Sequence, residues 1–178
     1  MVNVPTSNLD AIARVRDALA AQKPTHTNWK KDGTDGEGFA REWMTARGIE
    51  FLDIPQDPES FNEELKAAGG KRPDFVVKWP GTGEIFILFD AKHHNTGADN
   101  RFRIDKAQIA SYKKLESWAQ AQWLTAMILV VFIVVAKGSD GRHIYIVGLD
   151  EIIAEDTICK VGSSEGLSIG LNERLAEW

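Results

Sequence analysis

The segment Met127 to Val135 reads Met-Ile-Leu-Val-Val-Phe-Ile-Val-Val, nine consecutive apolar residues of which six are β-branched. β-Branched side chains crowd the turns of a helix and fit a pleated strand, so this run predicts a strand buried on both faces. The wider run, Leu124 to Ala136, falls short of the roughly 20 residues that cross a bilayer. A second stretch, Ile85 to Phe89, is apolar at every position and predicts another central strand. Strands of this kind need cover on both faces, and the flanking sequence offers helices to provide it.

Ile12, Val15 and Leu19 recur at helical spacing after the capping candidates Ser7 to Asp10. A loop is expected across residues 30–36. A second helix is expected from about Asp35 to Arg47, with Phe39, Trp43 and Ala46 inward and Gly48 closing it. Ile49 to Ile54 reads as a short strand or extended link, and Glu59 to Ala68 as a short helix stopped by Gly69-Gly70. Strands follow at Asp74 to Trp79 and Glu84 to Lys92, joined by a turn at 80–83. A loop over His93 to Asn100 then leads into a long helix from about Ile104 to Gln122. After the apolar strand, Gly138 to Gly141 makes a hairpin turn to a partner at His143 to Val147. Asp150 to Ile153 and Asn172 to Trp178 read as short helices. The fold class is α/β, a mixed sheet flanked by helices. Its 178 residues suit one domain: an N-terminal helix and loop (1–33), a core (34–148) and a C-terminal extension (149–178).

The single cysteine, Cys159, excludes an intrachain disulfide and a Cys-rich zinc site. The N-terminus lacks the basic and apolar regions of a signal peptide, so a soluble, cytoplasmic protein without a membrane partner is expected.

The chemistry concentrates after Phe89. Asp90 and Lys92 stand two apart at the end of a strand, so both point to one face. A carboxylate and an amine following an apolar run are costly to bury unless paired or metal-bound. Asp74 opens the neighbouring strand. Two nearby carboxylates repel, and a divalent cation relieves that repulsion. Hard cations such as Mg2+ take carboxylate and carbonyl oxygen, and Lys92 would then stand where it can orient or deprotonate a water.

Pro73-Asp74, a hairpin, and Asp90-Ala91-Lys92 together resemble the signature of the PD-(D/E)xK nuclease superfamily. That resemblance implies a restriction-endonuclease-like core in the order helix, three strands, helix, strand, similar to the order expected from Asp35 to Val147. It also implies Mg2+- or Mn2+-dependent hydrolysis of nucleic-acid phosphodiesters. Asp74, Asp90 and the Ala91 carbonyl match its metal ligands, and Lys92 matches its catalytic lysine. Glu37 matches the glutamate that Holliday-junction-resolvase-like members place on the first core helix, with Glu42 as the substitute. Gln108 and Tyr112, four apart on one helix face, resemble the Gln-x-x-x-Tyr of RecB-like nucleases.

The net charge of -5 argues against a protein that coats DNA. Its distribution is uneven. Residues 71–114 hold nine Lys/Arg and five Asp/Glu, a net of +4, while residues 115–178 hold four and nine, a net of -5. Arg101, Arg103, Lys106, Lys113 and His93, together with Tyr112, are therefore expected on a local nucleic-acid-binding face. DNA is the favoured partner, with specificity supplied by a second copy or a partner protein. A non-catalytic nucleic-acid- or protein-binding module on the same fold, and an RNA-cutting toxin or effector nuclease, remain open beside that reading.

Overall fold

The computed structural model describes residues 7–21, 36–80 and 84–176. Most of the loop expected over 30–36, and residues 81–83 of the turn expected over 80–83, lie outside them, as do Trp178 and its neighbour. The described chain is a mixed α/β fold around a six-stranded sheet. Among the described residues there are five α-helices: α1 (Asn8–Ala21), α2 (Gly36–Ala46), α3 (Glu63–Ala67), α4 (Lys106–Gln122) and α5 (Leu149–Glu155). The strands of the main sheet are β1 (Leu52–Asp53), β2 (Phe75–Trp79), β3 (Ile85–His94), β5 (Met127–Ala136), β6 (Ile144–Gly148) and β9 (Leu175–Ala176). They lie in the order β1-β2-β3-β5-β6-β9.

The two apolar runs form its centre. β3 and β5 pair in parallel from Ile85 with Met127 to His94 with Ala136, while every other neighbour in the sheet is antiparallel. Odd-numbered residues of β3 and β5 face α1 and α2, packing with Ile12, Val15, Leu19, Phe39, Trp43 and Met44. Even-numbered ones face α4 and α5, packing with Ile109, Tyr112, Leu115 and Ile152. The apolar character of both strand faces follows from this double cover.

A second sheet was not anticipated. β4 (Arg101–Asp105), β8 (Ser164–Gly170) and β7 (Thr157–Val161) form a three-stranded antiparallel layer in the order β4-β8-β7. β4 replaces the start of the helix expected from Ile104. Phe102 and Ile104 alternate inward there, and the Asp105 carboxylate caps α4 by accepting the Gln108 N–H at 2.8 Å. The C-terminal residues are thus no mere extension, because Leu167, Ile169 and Leu171 are buried in the α4-side core. The helix expected over Asn172 to Trp178 is instead a 3₁₀ turn at Asn172–Arg174 followed by β9. The helix expected over Glu59 to Ala68 breaks into a 3₁₀ turn at Pro58–Ser60 and α3, because the Asn62 side chain caps a fresh start. β3 runs on through His93 and His94, so the loop begins at Asn95.

Phe132 joins three elements: its ring lies 4.9 Å from that of Tyr112 on α4 and 5.5 Å from that of Phe102 on β4. Phe132→Ala is expected to cost about 3–5 kcal/mol in urea denaturation, the range for emptying a fully buried aromatic site.

Candidate active site

β2 pairs with β3 only as far as Phe75 with Phe89, so residues 90–94 of β3 run past it with β5 on one side. Asp74 fills the gap. Its N–H donates to the Phe89 carbonyl at 2.8 Å, and its Oδ2 accepts the Ala91 N–H at 2.7 Å. A side chain thereby replaces the next rung of the ladder and fixes Asp74 beside the Asp90-Ala91-Lys92 backbone.

Asp90 is only 3% exposed, on the face covered by α4. Tyr112, fully buried on that helix, donates its hydroxyl to Asp90 Oδ2 at 2.5 Å. The Lys92 ammonium makes an ion pair with Asp90 Oδ1. That oxygen is buried and no donor is aligned on it as a hydrogen bond. Burial, the Asp90 charge and the hydrogen bond to it all push the Tyr112 hydroxyl up, so it stays a donor. Asp74 is pushed up to about 7, first by burial and then by the charges of Asp90 and, less, Glu37, against the Ala91 hydrogen bond and Lys92.

Glu37 reaches this neighbourhood through Gly36. A Cβ at Gly36 would lie 2.8 Å from the His93 nitrogen, so the start of α2 abuts the β3 backbone in a way that only glycine permits. Glu37 itself is exposed. It is the helix acid whose charge acts on Asp74, while Glu42 lies further along α2. His93 stacks edge-on against Phe39 of α2 at 5.9 Å, and His94 against Phe102 at 5.1 Å. The two imidazoles thus face opposite sides of the sheet. Gln108 is exposed, one turn before Tyr112. Tyr112 is sealed behind Asp90 and cannot face nucleic acid. Its place is that of a positioning group, which corrects its assignment to a binding face.

The cations expected on a basic face carry ion pairs. Arg101 pairs with Glu155 at 2.6 Å, Arg103 with Asp99, Lys106 with Glu165, and Lys113 with Glu116 and Asp150. Acids from the C-terminal third answer most of the cations, an arrangement that a segmental charge count does not reveal. One cation at the site was missed. Lys71 extends over the Tyr112 ring, 5.0 Å from its centre, next to the Lys92 ammonium. Burial holds its pKa below the usual lysine range. Its only sequence signal is its place in Lys71-Arg72-Pro73-Asp74, leading into the acidic strand start.

Among the described residues, no three His, Cys, Asp or Glu side chains converge as a ready metal cluster. The pair Asp74 and Asp90 nonetheless suits a hard cation. Both are oxygen donors, their charges oppose each other, and a buried Asp90 oxygen lacks a hydrogen bond. Comparison of the chain with protein-family models, with curated proteins and with solved structures returns no match.

Because Asp74 binds its proton more tightly folded than unfolded, its contribution to stability is present below about pH 4 and is lost as pH rises through about 7. Asp74→Asn keeps an oxygen for the Ala91 N–H and removes the charge. It is expected to raise stability at pH 8 by about 1–2 kcal/mol, after discounting for solvent access, and to change little at pH 4. Thermal melts across that range check it.

Proposed function

We propose that the protein is a metal-dependent endonuclease with a restriction-endonuclease-like core, hydrolysing phosphodiester bonds of nucleic acid, with DNA as the favoured substrate. The observation that carries this reading is the buried Asp90 carboxylate in the middle of the central strand β3, and not at the strand end expected from the sequence, just past the last residue paired with β2 and beside Asp74 and Lys92. A fold rarely buries such a group without a compensating role. The order α2, β1, β2, β3, α4, β5 also supports it, with α3 added before β2 and β4 added before α4.

Asp74 and Asp90 would hold Mg2+ or Mn2+, with the Ala91 carbonyl and Glu37 as further oxygen donors. Such an ion supplies charge neutralisation at the scissile phosphate and a more acidic water. Tyr112 fixes the Asp90 carboxylate through Oδ2, so a metal would meet Asp90 at Oδ1, the oxygen on which the Lys92 ammonium rests. The Ala91 N–H holds Asp74 through one oxygen and leaves the other. Lys92, which faces Asp90 Oδ1, would orient the attacking water as an ammonium, or take its proton only after giving up its own. Gln108, exposed one turn before Tyr112, would contact the substrate.

Duplex, single-stranded and branched DNA and tRNA, offered with Mg2+ or Mn2+, test the reading. Cleavage is expected for at least one DNA, is lost with EDTA, and falls at least about a hundredfold in Asp90→Ala and in Lys92→Ala. No cleavage of any substrate by folded wild-type protein overturns it. Metal should also compete with protons at the carboxylates, so Mg2+ is expected to raise the melting temperature more at pH 8 than at pH 5.

One observation favours a second reading, a non-catalytic module on the same fold. Lys92 already rests on Asp90, so the acid and the lysine satisfy each other within the fold without a metal. Such a module would bind nucleic acid or protein equally with and without Mg2+.

A further inference from the structure

Most cations around the site have partners that occupy them. Arg72 donates to the carbonyls of Pro55, Gln56 and Asp57 and covers the Phe61 ring at 4.7 Å, so it ties the 55–61 segment to the start of β2. Arg101, Arg103, Lys106 and Lys113 rest on carboxylates. Lys71 is placed differently. Its ammonium lies 5.0 Å from the centre of the Tyr112 ring, the Lys92 ammonium lies 5.6 Å from the same ring, and the two adjoin.

Two like charges over one ring repel, and the ring's negative face offsets only part of that. Asp90 makes its ion pair with Lys92 and acts on Lys71 only through its wider field. Once Asp74 and Asp90 are engaged by a cation, the two ammoniums lose that compensation and require an anion. Each carries three donors on a flexible stem. A tetrahedral oxyanion, with several oxygens at close spacing, satisfies both through charge-assisted hydrogen bonds.

We propose that Lys71 and Lys92 form a two-lysine clamp for one phosphate group, in which Lys71 holds a non-bridging oxygen. This rests on the reading of the site as a phosphodiesterase insofar as that group is the scissile phosphate. There Lys71 is a catalytic residue that binds the phosphate beside Lys92 and balances its charge. That role explains why a second lysine is held on the same ring instead of on a carboxylate.

The test is titration of inorganic phosphate, at low salt and with Mg2+, into wild-type protein and the Lys71→Met, Lys71→Arg and Lys92→Met variants, followed by calorimetry and amide NMR. Cleavage kinetics and thermal melts are taken on the same preparations. Lys71→Met is expected to weaken phosphate binding by about tenfold or more, the scale of one charge-assisted hydrogen bond, and Lys71→Arg to restore most of it. Melts should stay level, because methionine keeps the stem over the Tyr112 ring. On a cleaved substrate Lys71→Met should raise KM and lower kcat. Wild-type protein that binds no phosphate, or binds it as Lys71→Met does, overturns the clamp. Wild-type protein that binds phosphate through Lys71 but cuts no nucleic acid leaves the clamp standing and removes the nuclease reading. Cleavage and phosphate binding unchanged in Lys71→Met do the reverse.

Discussion

The parallel pairing of β3 with β5 is the constraint from which the rest of the architecture follows. Ten residues on each strand are matched in register, and all of β5 and the first five of β3 are apolar on both faces. A parallel pair cannot be closed by a tight turn, so the chain must cross over between them. That crossover carries β4 and α4, and α4 brings Tyr112 onto the even-numbered face of β3. The opposite face is covered by α1 and α2. The site therefore stands where β3 outruns its antiparallel neighbour β2, at an edge made by register and not by a loop.

Asp90 belongs to this packed centre. Its burial would be untenable without the Tyr112 hydroxyl on one oxygen and the Lys92 ammonium facing the other. Asp74 shares the constraint, since its carboxylate substitutes for a ladder partner of Ala91. The resulting cluster is compact: two carboxylates, two ammoniums and a phenol, with the Asp90 charge adding to the cost of ionising Asp74. It is held by backbone and by helix packing, so its geometry does not depend on mobile surface groups.

Charge follows a similar logic at longer range. The +4 of residues 71–114 and the -5 of residues 115–178 meet across the fold. Arg101 meets Glu155, Lys106 meets Glu165, and Lys113 meets Asp150 and Glu116. Exposed pairs of this kind contribute little to stability, but they quench the positive field that the segment would otherwise present. What cationic character the site retains is local, in Lys71 and Lys92.

Sequence alone was enough to establish the two central strands, because β-branched runs without polar interruption fit little else. It was also enough to place Asp90 and Lys92 on one face, because side chains alternate along a strand. Residues 74 and 90 could be recognised as neighbours from the intervening hairpin. The second sheet was hidden because β4 pairs with β8, more than sixty residues away, and each is too short for its own pattern to stand out. Tertiary structure alone decided that Tyr112 is a buried donor to Asp90, that Arg101 and Lys106 are neutralised, and that Lys71 belongs to the site. Each of these depends on which distant surface meets the residue. A local pattern carries the period of a strand or helix, but it carries no record of the partner that packing brings opposite.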